Sequence, residues 1–470
     1  MSITHSQTPI IDALVEHAAR EKVSMHMPGH HQGRVLPVEL SNWLGQATKL
    51  DVTELAGLDN YHEASGCILQ SQALAASYYG SDYCLYSVNG ATACVMAAIA
   101  ACVDGPLRRR IVFVGPCHVS AWRGLVYADA HMQFVPSTWR SDLQTFDRPD
   151  VRQIEGALRE HDDVAAVIVT SPSYQGLVAP IREIADLAHR YNVPLIVDEA
   201  HGAHFGLCEG MPPHSVQEGA DIVIQSPHKT LPCLTQGAWV HLQGDRVSYD
   251  ALQSALLFLQ STSPSYLLLA ALDGAQAWLR GPGKLEAEKT LARLAEFRQL
   301  EGQGRDPMRL WIPTGSEQAS HDLADRMQAQ GVFLEYADAS GVLAMFGFSQ
   351  PDYEYKKFFR VLHEWQGTGQ SPAAKDGEVV QALYEMAGQS SIACLPSEVA
   401  RSRKRRIPLS EANNEILAAP LAPYPPGVPA LWPGHVLQSA HITRLRAWLS
   451  HGGVVLGIDE NEQVEVVDGN

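Results

Sequence analysis

The sequence predicts an α/β fold: a mostly parallel sheet with helices on its faces, preceded by an N-terminal arm and followed by a smaller C-terminal α+β domain. Three observations predict it. Between Asp82 and Leu242, short β-rich runs alternate with helical stretches. The runs are continuously apolar, as in VAAVIV and PLIV, which is how strands buried on both faces read. The chain has 470 residues, more than one core supports, since single cores stop growing near roughly 250–300 residues.

Taken in order, Ile10, Ile11, Leu14, Val15 and Ala18 recur at helical spacing. They predict an amphipathic helix in an arm spanning residues 1–60, with no obvious partner in its own chain. Seven strand runs follow within a large domain at 61–285: Tyr83–Val88, Ile111–Val114, Met132–Pro136, Val164–Val169, Pro194–Asp198, Ile222–Ser226 and Ala238–Leu242. A helical stretch from about Leu285 to Gln303 opens the smaller domain, 286–470, in which GVFLEYADASGVLAMFG reads as a hairpin. The basic run Arg401, Arg403, Lys404, Arg405, Arg406 reads as a solvated or subunit-contact face in so acidic a chain.

A formal charge of −17 and a pI near 5.6 argue against a nucleic-acid partner, because phosphate binding requires basic surface. A cationic small substrate is compatible with that charge. The eight cysteines form no CxxC pair and read as reduced thiols of a cytoplasmic protein. Met1–Pro9 lacks a signal-peptide pattern, and the apolar stretches Val95–Val103 and Tyr266–Leu272 fall well short of the ~20 residues a membrane span needs.

Three segments sit at the carboxyl ends of predicted strands, where open α/β sheets bind ligands. In SVNGATACVMAA, a strand meets Asn89-Gly90 and a helix beginning near Ala91. Its first amides and the Thr92 hydroxyl form a natural phosphate cradle, although an Asn-Gly turn before a helix is also simply a turn. In PLIVDEAHGAHFG, Asp198 ends a buried strand, where a carboxylate is costly without a positive partner. A protonated pyridine nitrogen is one such partner; a plain strand-end aspartate is the alternative. In DIVIQSPHKTLPCLTQGAWV, Ser226, His228 and Lys229 lie between two buried strands. A poorly hydrated lysine there becomes a nucleophile of the Schiff-base kind, against the alternative of a surface-loop lysine.

The segments MPGHHQGR, DVTELAGLDNYHEASG, SVNGATA, PCHVS, VTSPSYQGLV, DEAHGAHF, SPHKTLPCLTQGA, TSPSYLLLAALD and APYPPGVP occur in this order from about His26 to His435. Together they resemble the Orn/Lys/Arg decarboxylase family of fold type I pyridoxal-phosphate (PLP) enzymes. The resemblance implies that Lys229 carries the cofactor, Asp198 pairs with its ring nitrogen and His118 stacks on the ring. It implies that Gly90, Ala91, Thr92, Ser226 and His228 hold the phosphate, that Ala200 packs under the ring beside His201, and that Ser263 and Ser265 reach the neighbouring subunit's site in a homodimer. The implied reaction is decarboxylation of lysine, ornithine, arginine or a modified relative to a polyamine-type amine, with His228 or Lys229 returning a proton to Cα. No metal is implied.

The chain departs from the family's pattern at three places. Lysine is replaced by His31 in PGHH and by Val119 in HVS, and glutamate by His435 in PGH. The larger members' N-terminal wing domain is not expected here. Other PLP chemistry (an aminotransferase, a lyase or an oxidative decarboxylase) is the main alternative, since one scaffold hosts many reactions. A metal hydrolase built on His201 and His204, or on His26, His30 and His31, is a remoter one. DEAH also spells a helicase motif, but no GxxxxGK[ST] loop accompanies it.

Overall fold

A computed structural model of the chain describes residues 7–20, 23–105, 107–299, 304–368, 381–383, 385–386, 390–424, 428–450 and 453–469. All seven expected runs become strands of one sheet: β1 (Tyr83–Ser87), β2 (Arg110–Val114), β3 (His131–Val135), β4 (Val164–Thr170), β5 (Leu195–Asp198), β6 (Ile222–Gln225) and β7 (Ala238–Leu242). Their order is β1-β7-β6-β5-β4-β2-β3. The pairings from β6 through β5, β4 and β2 to β3 are parallel, while β7 runs antiparallel to both β6 and β1. The reversal follows from the connection, because the segment between β6 and β7 holds only the single turn Pro227–Lys229 and no crossover helix.

The apolar runs are continuous because alternate residues serve different cores. Ile196, Ile222 and Ile224 join the cluster on one face of the sheet, while Leu195, Val197 and Val223 join the other. All six are fully buried, each worth roughly 1.5–3 kcal/mol of apolar transfer.

The helices that bear on the site are α1 (Pro9–Ala19), α2 (Val38–Leu44), α3 (Cys67–Tyr79), α4 (Gly90–Cys102), α5 (Val119–Ala128), α6 (Tyr266–Trp278) and α7 (Lys284–Ala295). The expectation that the N-terminal helix lacks a partner in its own chain is corrected. α1 packs on α3 and α6, with Ile10 and Leu14 fully buried. Thr8 provides no side-chain cap, so the orphan amides of Ile10 and Ile11 donate to Oδ2 of Asp273 at 2.9 and 3.0 Å. Among the described residues, an apolar element left uncovered is instead α2, which buries no residue and leaves Trp43 90% exposed, with Val38, Leu40 and Leu44 exposed beside it.

Beyond the sheet, α7 ends at Ala295, short of the expected Gln303, which lies outside the described residues. The expected hairpin is formed by β9 (Tyr336–Ala337) and β10 (Gly341–Met345), with β8 (Arg309–Pro313) on the other side of β10. The basic run lies along β11 (Lys404–Pro408), where Arg405 and Arg406 pair with Glu415 and Asp459 at 2.7 and 3.1 Å. Among the described residues, no helix is long and apolar enough to cross a membrane.

Candidate active site

The carboxyl ends of β4, β5 and β6 and the start of α4 open on one cavity of about 490 Å³. Gly90, Ala91, Thr92, His118, Asp198, Ala200, His201, Ser226, His228 and Lys229 all line it. Ten residues spread over 140 positions of sequence thus share one wall because a parallel sheet delivers every strand's end to the same edge.

Each is set by its local structure. Gly90 opens α4 with φ +76, a left-handed conformation that favours glycine. Asn89, at the helix cap, does not cap it with its side chain but donates from Nδ2 to the Leu259 carbonyl at 2.7 Å. The first turn of α4 therefore keeps its amides for an anion. His118 caps α5, its Nδ1 accepting from the Ser120 amide at 3.2 Å. Asp198 Oδ1 accepts from the Ala200 amide at 3.1 Å, and its other oxygen has no hydrogen-bond partner among the described residues. His228 sets Nδ1 at 3.1 Å from the Gly237 carbonyl, to which it donates, so Nε2 remains available.

Lys229 projects Nζ to 2.9 Å from Nε2 of His201. The other ring nitrogen of His201, Nδ1, meets Nη2 of Arg309. Arg309 is almost fully buried and donates to Oδ2 of Asp306 at 3.1 Å and to the Tyr174 carbonyl at 2.5 Å. Asp306 is held in turn by His204 Nε2 and the Met308 amide, both at 2.9 Å.

These residues suit PLP. Among the described residues, one Asp198 oxygen has no hydrogen-bond partner and can take a ring N–H, the uncapped start of α4 can take a phosphate, and the Lys229 amine lines the same cavity. The sequence matches the profiles of the Orn/Lys/Arg decarboxylase major domain over residues 8–350 and of the Orn/Lys/Arg decarboxylase C-terminal domain over 377–451. The chain belongs to the Orn/Lys/Arg decarboxylase family. It is 30% identical to an arginine decarboxylase of Bacillus subtilis over 98% of this chain and 97% of that one. It is 28% identical to an arginine decarboxylase of Bacillus anthracis over 97% and 96%. Its fold superposes on the constitutive lysine decarboxylase of Escherichia coli with a TM-score of 0.81 at 19% identity, covering 98% of this chain and 82% of that one. This family member is a PLP-dependent decarboxylase of basic amino acids, on the mostly parallel fold type I scaffold its motifs implied.

The electrostatics of the cavity suit a family decarboxylase. Lys229 as a whole is exposed to the cavity, but the protein packed around its amine pushes it below its ordinary value and Arg309 adds to this, while Asp198 and Glu335 oppose it. Burial lowers His118 and His228, and holds His201 well below the usual imidazole range with help from Arg309 and Lys229. Three imidazoles and one amine are thus all held below their ordinary basicity.

Not every expected residue reaches this wall. Ser263 is exposed and Ser265 sits at the start of α6, and neither lines its own chain's cavity. His435 is buried away from the cavity, pushed by burial to about 4, and accepts from the Trp432 amide at 3.3 Å. His31 and Val119 also lie off the wall. Pro425–Gly427 of APYPPGVP lie outside the described residues. The metal-ligand candidates are separately engaged: His201 with Lys229 and Arg309, His204 with Asp306, and His30 with Asp51 at 3.1 Å. Sequence reasoning missed Arg309, Asp306 and Tyr174. The signal was a lone arginine in the apolar strand RLWIP with an aspartate three residues before it.

Proposed function

We propose that this protein decarboxylates arginine in preference to lysine or ornithine, with Lys229 holding PLP covalently. The observation that carries the site assignment is the convergence of Lys229, Asp198 and the uncapped start of α4 on one cavity. The choice of arginine rests on relatives of nearly equal length that bear that activity. When bound, PLP supplies an electron sink for the pair left as the Cα–carboxylate bond breaks.

In this reading Asp198 accepts the ring N–H through its free oxygen and keeps it protonated. The Gly90–Thr92 amides, the Thr92 hydroxyl, Ser226 and His228 hold the phosphate. His118 would stack on the ring, Ala200 would pack under it, and His201 would help hold it. Lys229, its amine freed and lowered in basicity by burial, or His228 once it has gained a proton on Nε2, would return the proton to Cα.

We also infer a cytoplasmic homodimer with shared sites. The exposed apolar face of α2 needs cover, and Ser263 and Ser265 do not line their own chain's cavity. The test is incubation of the purified protein with PLP and a panel of amino acids, reading carbon dioxide and product mass. Agmatine from arginine is expected. Inert arginine, lysine and ornithine alongside turnover of a non-basic amino acid would overturn the reading.

A further inference from the structure

Three groups in one line, Arg309, His201 and Lys229, constrain one another's protons. A guanidinium carries only donors and keeps its charge in proteins, so the His201 Nδ1 that meets Arg309 must offer its lone pair. The His201 proton then belongs on Nε2, which faces Nζ of Lys229 at 2.9 Å. Nζ can accept that bond only as a neutral amine, because an ammonium has no lone pair. The reverse arrangement, an ammonium donating to Nε2, would set an Nδ1–H against the buried guanidinium, two donors with no acceptor between them.

Arg309 has no freedom to yield. Its Nε is tied to Asp306 at 3.1 Å, its Nη1 to the Tyr174 carbonyl at 2.5 Å, and Asp306 is itself fixed by His204 and the Met308 amide. Tyr174 closes the remaining side, its ring edge-on to His201 at 4.9 Å and under the guanidinium at 5.9 Å.

We propose that Arg309 is a positioning residue that acts through His201, fixing the imidazole proton on Nε2 so that the ring donates to the Lys229 amine. The lysine is thereby kept in the form that attacks a carbonyl. The proposal rests on the assignment of Lys229 as the cofactor lysine. The charged or titratable groups that face the amine are Asp198, Glu335, Arg309, His201, His118 and His228, from β5, the turn before β9, β8, the segment after β5, the start of α5 and the turn after β6.

The experiment measures the rate at which apoenzyme captures PLP covalently, followed by absorbance across pH, in a double-mutant cycle of Arg309→Met and His201→Phe. Loss of the one hydrogen bond should slow capture at neutral pH on the order of tenfold in Arg309→Met and move its rising limb to higher pH. In the His201→Phe background, adding Arg309→Met should change nothing further. Equal slowing in both backgrounds would mean that the charge of Arg309 acts directly, and would overturn the proposal. Should Arg309→Met fail to fold, ¹⁵N shifts of histidine in the wild-type apoenzyme decide the matter, with the His201 signal assigned by its loss in His201→Gln. A pattern protonated at Nε2 supports the proposal, and one protonated at Nδ1 or at both nitrogens refutes it. Absence of covalent PLP on wild-type Lys229 would sink the cofactor assignment instead, and the shifts would still report the tautomer.

Discussion

Replacing Asp198 with asparagine separates the electron-sink role from the fold. The substitution keeps the outline of the side chain and an oxygen for the Ala200 amide, which Asp198 holds at 3.1 Å. Stability should therefore change by no more than about 1 kcal/mol. What disappears is the negative charge of a carboxylate that lines the cavity. A hydrogen bond to a charged group is worth about 1.5–3 kcal/mol against 0.5–1.5 for a neutral one, and leaving one charge of a buried pair alone costs about 3–5 kcal/mol. A barrier raised by about 2–4 kcal/mol is expected, or roughly a 30- to 1000-fold loss of kcat. Capture of PLP should survive, because Asp198 raises the basicity of Lys229 and its removal leaves the amine more readily deprotonated. The assay is carbon dioxide release at saturating arginine, with PLP content and melting temperature measured on the same sample. A variant that holds its full complement of PLP and turns over within threefold of wild type would refute the pairing of Asp198 with the cofactor ring.

Borohydride reduction of the holoenzyme followed by peptide mapping should place the pyridoxyl group on Lys229, and label on another lysine would remove it from the chemistry. Mixing Lys229→Ala with a Ser263→Ala/Ser265→Ala double variant should restore part of the lost activity, since each heterodimer retains one intact composite site; verified heterodimers without activity would argue against shared sites. Glu199 is fully buried, and that burial pushes its carboxyl from 4.5 up to about 7, against bonds from Ser215 and Gln225. Its folded form favours the proton, so its contribution, roughly 3 kcal/mol, is complete below pH 4.5 and is lost as pH rises through 7. Glu199→Gln should flatten that part of the stability profile in denaturant titrations, and an unchanged slope between pH 4.5 and 7 would refute the assignment.

The parts of the fold that were legible are those governed by local periodicity and strand-end chemistry. The runs could be read because the central strands bury both faces, as Leu195 to Val197 do, and Lys229 and Asp198 stand out as charges at the ends of such runs. The partner of α1 was illegible because it rests on Asp273, more than 260 residues away, whose carboxylate caps the helix from α6. Arg309 was overlooked for a related reason. The lone arginine of RLWIP marks a charge in an apolar strand, but its meaning depends on Tyr174 and His201, more than 100 residues away in sequence, which only the folded chain brings to it.

The same distinction separates reaction from substrate. The groups assigned to the cofactor, from Gly90 to Lys229, come from the strand ends of one sheet. Much of the remaining wall comes from elsewhere: Trp139, Asp147 and Arg148 from the segment after β3, Asp338 and Ser340 from the β9–β10 turn, and Trp448 from the C-terminal third. Three carboxylates line this cavity, and they are not equivalent. Asp198 is the one assigned above to the cofactor's ring nitrogen, and Asp147 lies 3.6 Å from Arg140. Asp338 accepts the Ser340 and Gly341 amides on one oxygen at 2.7 and 2.9 Å, and burial pushes its carboxyl up to about 7. The charges available to a cationic side chain are thus set by segments that carry none of the cofactor motifs. The departures at His31, Val119 and His435 all lie off this wall, so the lining that holds Lys229, Asp198 and the start of α4 contains none of the three changed positions.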